Sequence, residues 1–230
     1  MDGWLLKLCY ILGASVCHQL PERSLAAGNL SIPVCARCEG IYIGFLFTAL
    51  ILFIMYRKKE SELPPVYIII ILCLFVISTI LDGALSYFFI IKTNNFSRLI
   101  TGYLSGVAAM TIIFPIFNYQ YYKKSKEIKI LSRPWQFILF LIINGAIIAM
   151  ALSGVNFLDY IFFYSSAIAV IFTFYFVNLI IIFLIPYFAR KASRLFSKYL
   201  ITPTLFALSL TALELFISYK FHQFAIKLTL

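Results

Sequence analysis

"VYIIIILCLFVISTILDGALSYFF", residues 66–89, decides the class of fold. It contains one charged side chain, Asp82, in a run of aliphatic and aromatic residues. About 20 such residues in a helix cross the ~30 Å hydrocarbon core of a bilayer. Inside lipid, a lone segment satisfies its backbone N–H and C=O groups only as a helix. Five further runs have this character, at about 40–56, 99–121, 135–153, 160–188 and 199–221. The run at 4–16 is shorter and reads as a tilted span, a re-entrant piece or an interfacial helix. The expectation is an all-α polytopic transmembrane helical bundle: six spans plus a possible seventh short N-terminal one, forming a single integral membrane domain over 1–230.

Composition agrees. The chain is 63% hydrophobic and 12% charged, with mean hydropathy +0.97. A soluble domain carries roughly 25% charged residues, so that class is excluded. The net charge of +10 would suggest nucleic acid on a soluble protein. Here the cations sit in short clusters between apolar runs, and no pattern for binding nucleic acid is present. The partner they imply is the lipid bilayer. The opening "MDGWLLKLCYILGASV" is weakly like a signal peptide, but Asp2 and the internal Lys7 argue for its retention.

The cations also orient the bundle. "RKK" at 57–59, "KKSKEIKILSR" at 123–133 and "RKASRLFSK" at 190–198 hold twelve Lys and Arg and follow alternate spans. Arg23, Arg37, Lys92, Arg98, Lys220 and Lys227 fall on the other side. The positive-inside rule puts the dense clusters in the cytoplasm of a multi-pass cell-membrane protein. The segment at 17–39 then faces outward.

That segment gathers unusual chemistry. "SVCHQLPERSLAAGNLSIPVCARCEGIYIG" (15–44) holds three of five cysteines and one of two histidines. Cys35 and Cys38 form C-x-x-C, and Cys17 and His18 complete a set known for zinc. Neighbouring side chains diverge, so one of Cys17 and His18 would ligate while the other supports it. The same C-x-x-C suits thiol–disulfide exchange, because a helix beginning near Gly40 would stabilise a thiolate at Cys38. A Cys17–Cys35 or Cys17–Cys38 disulfide staple is the bland alternative. Cys9 and Cys73, within apolar runs, read as small core residues.

Ionisable residues inside hydrocarbon mark sites by their cost. Asp82, Arg98 and Glu214 are the candidates for acid, base or electrostatic roles. Their structural alternatives are an Asp82–Arg98 ion pair between adjacent helix ends and a buried, bonded Glu214. His222 reads as a surface residue. Arg23, Arg37 and Arg98 would hold an anion such as a lipid phosphate, since guanidinium matches phosphate bidentately. Gly40 and Gly44, with Gly102 and Gly106, make two small-x-x-x-small patterns, and the helices carrying them are expected to touch.

"CHQLPERS" and "PVCARCEGIYIG", then Asp82–Gly83 and Asn95, Arg98, Thr101 and Gly102, resemble the signature of a family of prokaryotic integral membrane proteins catalogued as a domain of unknown function. The resemblance covers roughly the first 106 residues. It implies that these costly polar residues form one motif set, and it brings no reaction with it. Glu39 departs from the Thr of that pattern.

Three functional readings stay open. The first is a zinc-type Cys/His site at the outer end, acting on or binding an anionic lipid headgroup. The second is a non-catalytic transporter, receptor or assembly factor. The third is a membrane thiol–disulfide oxidoreductase using Cys35 and Cys38. Asn118, Asn144 and Asn178 lie in or near spans but trace no continuous polar path.

Overall fold

The computed structural model describes residues 3–28, 30–56, 60–88 and 93–229. The basic cluster at 57–59, Lys92 and the last residue of the 66–89 span lie outside these. Among the described residues seven α-helices follow one another: α1 (Gly3–Ala14), α2 (Ala36–Met55), α3 (Val66–Tyr87), α4 (Asn95–Tyr121), α5 (Pro134–Ala151), α6 (Asn156–Phe183) and α7 (Ile201–Thr229). Six are long and apolar enough to cross a membrane. At 1.5 Å per residue, the 12 residues of α1 extend about 18 Å. That is too short for a ~30 Å core, so α1 is not a seventh span. The largest boundary difference is α7, which runs past the expected end near 221 because Lys220 and His222 continue the helix.

The middle of the bundle is α2, α4 and α6, and α3, α5 and α7 form its periphery. Leu74, Ile77 and Ile80 of α3 are exposed, as a lipid-facing surface requires. Cys73 shares that exposure. It is therefore not a core residue as expected, because α3 buries only a narrow stripe. Cys9 is buried.

Lipid tails are as apolar as leucine, so burial alone does not drive helices together in a membrane; close packing does. The α2–α4 pair shows this. A Cβ on Gly40 would strike the Leu99 carbonyl, and one on Gly44 the Tyr103 carbonyl. One on Gly102 would strike the Arg37 carbonyl, and one on Gly106 the Ile41 carbonyl. The two glycine patterns face each other backbone to backbone. Around the seam lie Ile43, Leu99, Tyr103 and Met110, all fully buried.

The buried asparagines are local ties. Asn144 Oδ1 accepts from Thr48 and Tyr103, each at 3.1 Å, and joins α5 to α2 and α4. Asn118 donates to the Glu60 carbonyl at 2.7 Å. Asn178 joins α6 to α7.

Short strands sort the loops into two ends. β3 (Glu60–Glu62) pairs with β4 (Lys126–Lys129), and Tyr122 bridges to Ala192. The loops beside the dense basic clusters thus meet at one end. At the opposite end, β1 (Ala26–Ala27) and β2 (Leu30–Ser31) form a hairpin within the cysteine segment. Its turn uses Gly28 at φ 60°, a left-handed conformation that suits glycine.

Gly102→Leu is expected to lower unfolding stability in detergent by about 3 kcal/mol or more through overpacking. At Gly145 a Cβ meets nothing, so Gly145→Ala should change stability by less than about 1 kcal/mol, in the stabilising direction. Thermal unfolding of the two variants side by side checks this.

Candidate functional site

Cys35 is the residue before α2, in extended conformation at φ −68°, ψ 154°, after Pro33 and Val34 have ended the hairpin's exit. One helical turn later Cys38 lies on the same side of the helix start. Cys17 is brought to them by the end of α1. Gln19 fixes that approach: its Nε2 donates to the Tyr10 carbonyl at 2.8 Å and the Pro33 carbonyl at 2.7 Å. The Cys35 backbone N–H donates to Cys17 Sγ at 3.2 Å. The three sulfurs lie within 4.8 Å of one another.

A tetrahedral zinc site with Zn–S bonds of about 2.3 Å separates its sulfurs by roughly 3.8 Å. The three thiols fit such a site with small side-chain adjustments, and the cluster could hold a metal ion. Its electrostatics favour thiolate at Cys35 alone. Hydrogen bonds from the Cys17 and Cys38 side chains hold the Cys35 thiol well below its ordinary pKa, helped by the backbone N–H groups of Cys38 and Arg37. The counterpart is Cys17, pushed upward chiefly by its hydrogen bond to Cys35.

His18 stands outside the three-sulfur group. Its ring meets that of His222 edge to face, with centroids 5.1 Å apart. His222 is half-buried, and α7 carries it back to the start of the chain. No sequence pattern announced this, since the two histidines come from opposite ends of the chain. The Ser218 hydroxyl donates to the Ser15 carbonyl and secures α7 there.

Two cavities open beside the sulfurs. One, of about 310 Å³, is lined by Cys17, His18, Gln19, Arg23, Cys35 and Cys38 among others. The second, of about 350 Å³, is lined by Cys17, His18, Tyr42, Phe174, Ser218 and His222 among others. Val16, Cys17 and His18 line both.

Asp82 pairs with Arg37, whose Nε donates to Oδ2 at 2.9 Å and whose Nη2 contacts the same oxygen. The expected Asp82–Arg98 alternative is therefore replaced. Arg37 follows Cys35 by two residues and turns toward α3, because the close α2–α4 approach leaves its side chain no room between those helices. The guanidinium lies alongside Gly83, at ordinary van der Waals distance from where a Cβ would be. Arg98 is instead held by Thr93 Oγ1 (3.0 Å), Ser86 Oγ (3.2 Å) and Asn95 Oδ1 (3.3 Å). Asn95 donates to the Ser24 carbonyl at 3.1 Å and ties the cysteine segment to α4. Arg23 and Arg37 lie within electrostatic reach of Arg98.

Glu214 is not at this cluster. It accepts from Asn178 at 2.7 Å, one helical turn inward from the Ser218 and Phe174 that line the second cavity. Glu39 is buried, with both carboxylate oxygens unpartnered among the described residues.

Residues 17–112 match the family described as "Predicted membrane protein (DUF2085)". An "Uncharacterized protein" of Methanocaldococcus jannaschii is 32% identical over 122 residues, covering 53% of this chain and 76% of that protein. The chain belongs to the DUF2085 family. A second relative, an "Uncharacterized protein" of Methanothermobacter thermautotrophicus, is 32% identical over 92 residues, 40% of this chain and 78% of its own length. No solved structure matches. The DUF2085 match begins at Cys17 and ends in α4. It therefore contains all three sulfurs, the Arg37–Asp82 pair and the glycine seam, while His222 lies beyond it.

Asp82→Asn should destabilise the fold by about 2–3 kcal/mol. This is less than the cost of breaking a fully buried pair, because 25% of the Arg37 side chain is exposed. Chemical unfolding in detergent, with Arg37→Gln added in a double-mutant cycle, checks the coupling.

Proposed function

We propose that this end of the bundle is a zinc-type metal centre that binds a phosphate-bearing anion. Cys17, Cys35 and Cys38 would supply three ligands. His18, or a group of the bound molecule, would take the fourth position. The observation that carries the reading is the convergence of three sulfurs at a helix N-terminus, facing a cavity that also contains Arg23. Zinc in such a setting would act as a Lewis acid toward an oxygen ligand. Arg23 supplies the guanidinium group for the anion, with Arg98 within electrostatic reach of it. Arg37 is already neutralised by Asp82.

By the positive-inside rule this end lies on the outer face of the cell membrane. Asp82 is assigned to holding Arg37 rather than to proton transfer. Glu214, bonded to Asn178 and one turn inward, has no role in this reading.

A second reading, thiol–disulfide exchange, is favoured by one feature, the thiolate character of Cys35. The two differ in a direct measurement. Protein purified in detergent without chelator should contain about one zinc per chain by elemental analysis. Cys35→Ser with Cys38→Ser should lose it, and bound zinc should shield three thiols from maleimide. Absence of metal, with two thiols released only by reductant, would move the assignment to a disulfide.

For the anion, inorganic phosphate titrated into the zinc-loaded protein should bind. Arg23→Ala should weaken that binding about tenfold, the loss of one charge-assisted hydrogen bond, with zinc content unchanged. Equal affinity in wild type and variant would remove Arg23 from the site.

A further inference from the structure

Beneath the His18–His222 cavity an apolar groove of about 370 Å³ runs between α1, α6 and α7. Ile11, Leu12, Ile171, Leu208, Ala212 and Leu215 form its walls. Along α7 its lining extends from Leu208 to Tyr219, which at 1.5 Å per residue is about 16 Å. Half of a ~30 Å hydrocarbon core is about 15 Å. The groove is therefore as deep as one leaflet. α1 contributes Ile11 and Leu12 of its last turn to one wall.

The groove adjoins polar chemistry at its upper end. Ser15 lines both the groove and the cavity that contains His18 and His222. That cavity in turn shares Cys17 and His18 with the one that contains Arg23. An apolar trough as long as one leaflet is deep thus adjoins imidazoles, thiols and a guanidinium. A free phosphate ion would use the upper part and leave the trough idle. A phosphate-headed lipid uses both, and the surrounding bilayer supplies it in the right orientation.

We propose that the bound molecule is a single phospholipid, with one hydrocarbon chain in the α1–α6–α7 groove and its phosphate at His18, His222 and Arg23. This rests on the reading of an anion site beside the metal. It adds the ligand's class, the path of its chain and a role for His222.

The test uses the full-length, zinc-loaded protein, equilibrated with vesicles of palmitoyl-oleoyl phosphatidylglycerol and examined by native mass spectrometry. Wild type should carry one lipid per chain. Ala212→Trp and Ile171→Trp fill the groove from opposite walls, α7 and α6. Each should lose the lipid while keeping zinc content and inorganic phosphate binding, which report an intact fold and head site. Lipid retained by both variants would overturn the groove as its seat. Wild type that binds inorganic phosphate but no lipid would overturn the lipid and leave the anion site standing, with a free phosphate as its ligand. Failure to bind either would sink the anion reading and this inference with it.

Discussion

Everything at the polar end depends on the contact between α2 and α4, where two backbones meet with no Cβ between them. In a bilayer this contact is a matter of van der Waals fit rather than burial. Gly40, Gly44, Gly102 and Gly106 permit it. The consequence reaches beyond stability. With the two helices this close, the start of α2 is fixed beside the start of α4. Cys35, Arg37 and Cys38 emerge at one place, and Asn95 and Arg98 at the next. A larger residue in the seam would separate the helices and displace each of these groups.

The second layer of order comes from short polar ties that would be weak in water but hold well where water is scarce. Gln19 spans from the end of α1 to Pro33 and so presents Cys17 to Cys35. Asn95 clasps the loop at Ser24. Arg37 reaches to Asp82 on α3. Asn95 and Arg37 tie the cysteine segment and the start of α2 to neighbouring helices, and Gln19 braces the segment against α1. The sulfur cluster is thereby held by the bundle rather than by its own loop. A site meant to bind metal needs such support, because its ligands must be held in place before the ion arrives.

The two ends of the molecule have different characters. At one, basic loops are stitched by β3–β4 and the Tyr122–Ala192 bridge, which suits anchoring to a charged membrane surface. At the other, cavities adjoin thiols, imidazoles and guanidinium groups.

The sequence by itself determined the six spans, because the length and apolarity of each run leave a membrane helix as the one way to satisfy its backbone. It also marked Cys17, Cys35, Cys38, Asp82 and the arginines, because charge and thiol chemistry stand out against hydrocarbon. The glycine spacing foretold the α2–α4 contact. Pairings across the bundle were decided only in three dimensions. Asp82 meets Arg37 rather than Arg98, since the glycine seam directs Arg37 toward α3. His18 meets His222 because α7 folds back onto the start of the chain, and Glu214 bonds Asn178 one turn below. Side-chain partners from distant helices depend on rotation about each helix axis, and packing sets that rotation where hydropathy does not.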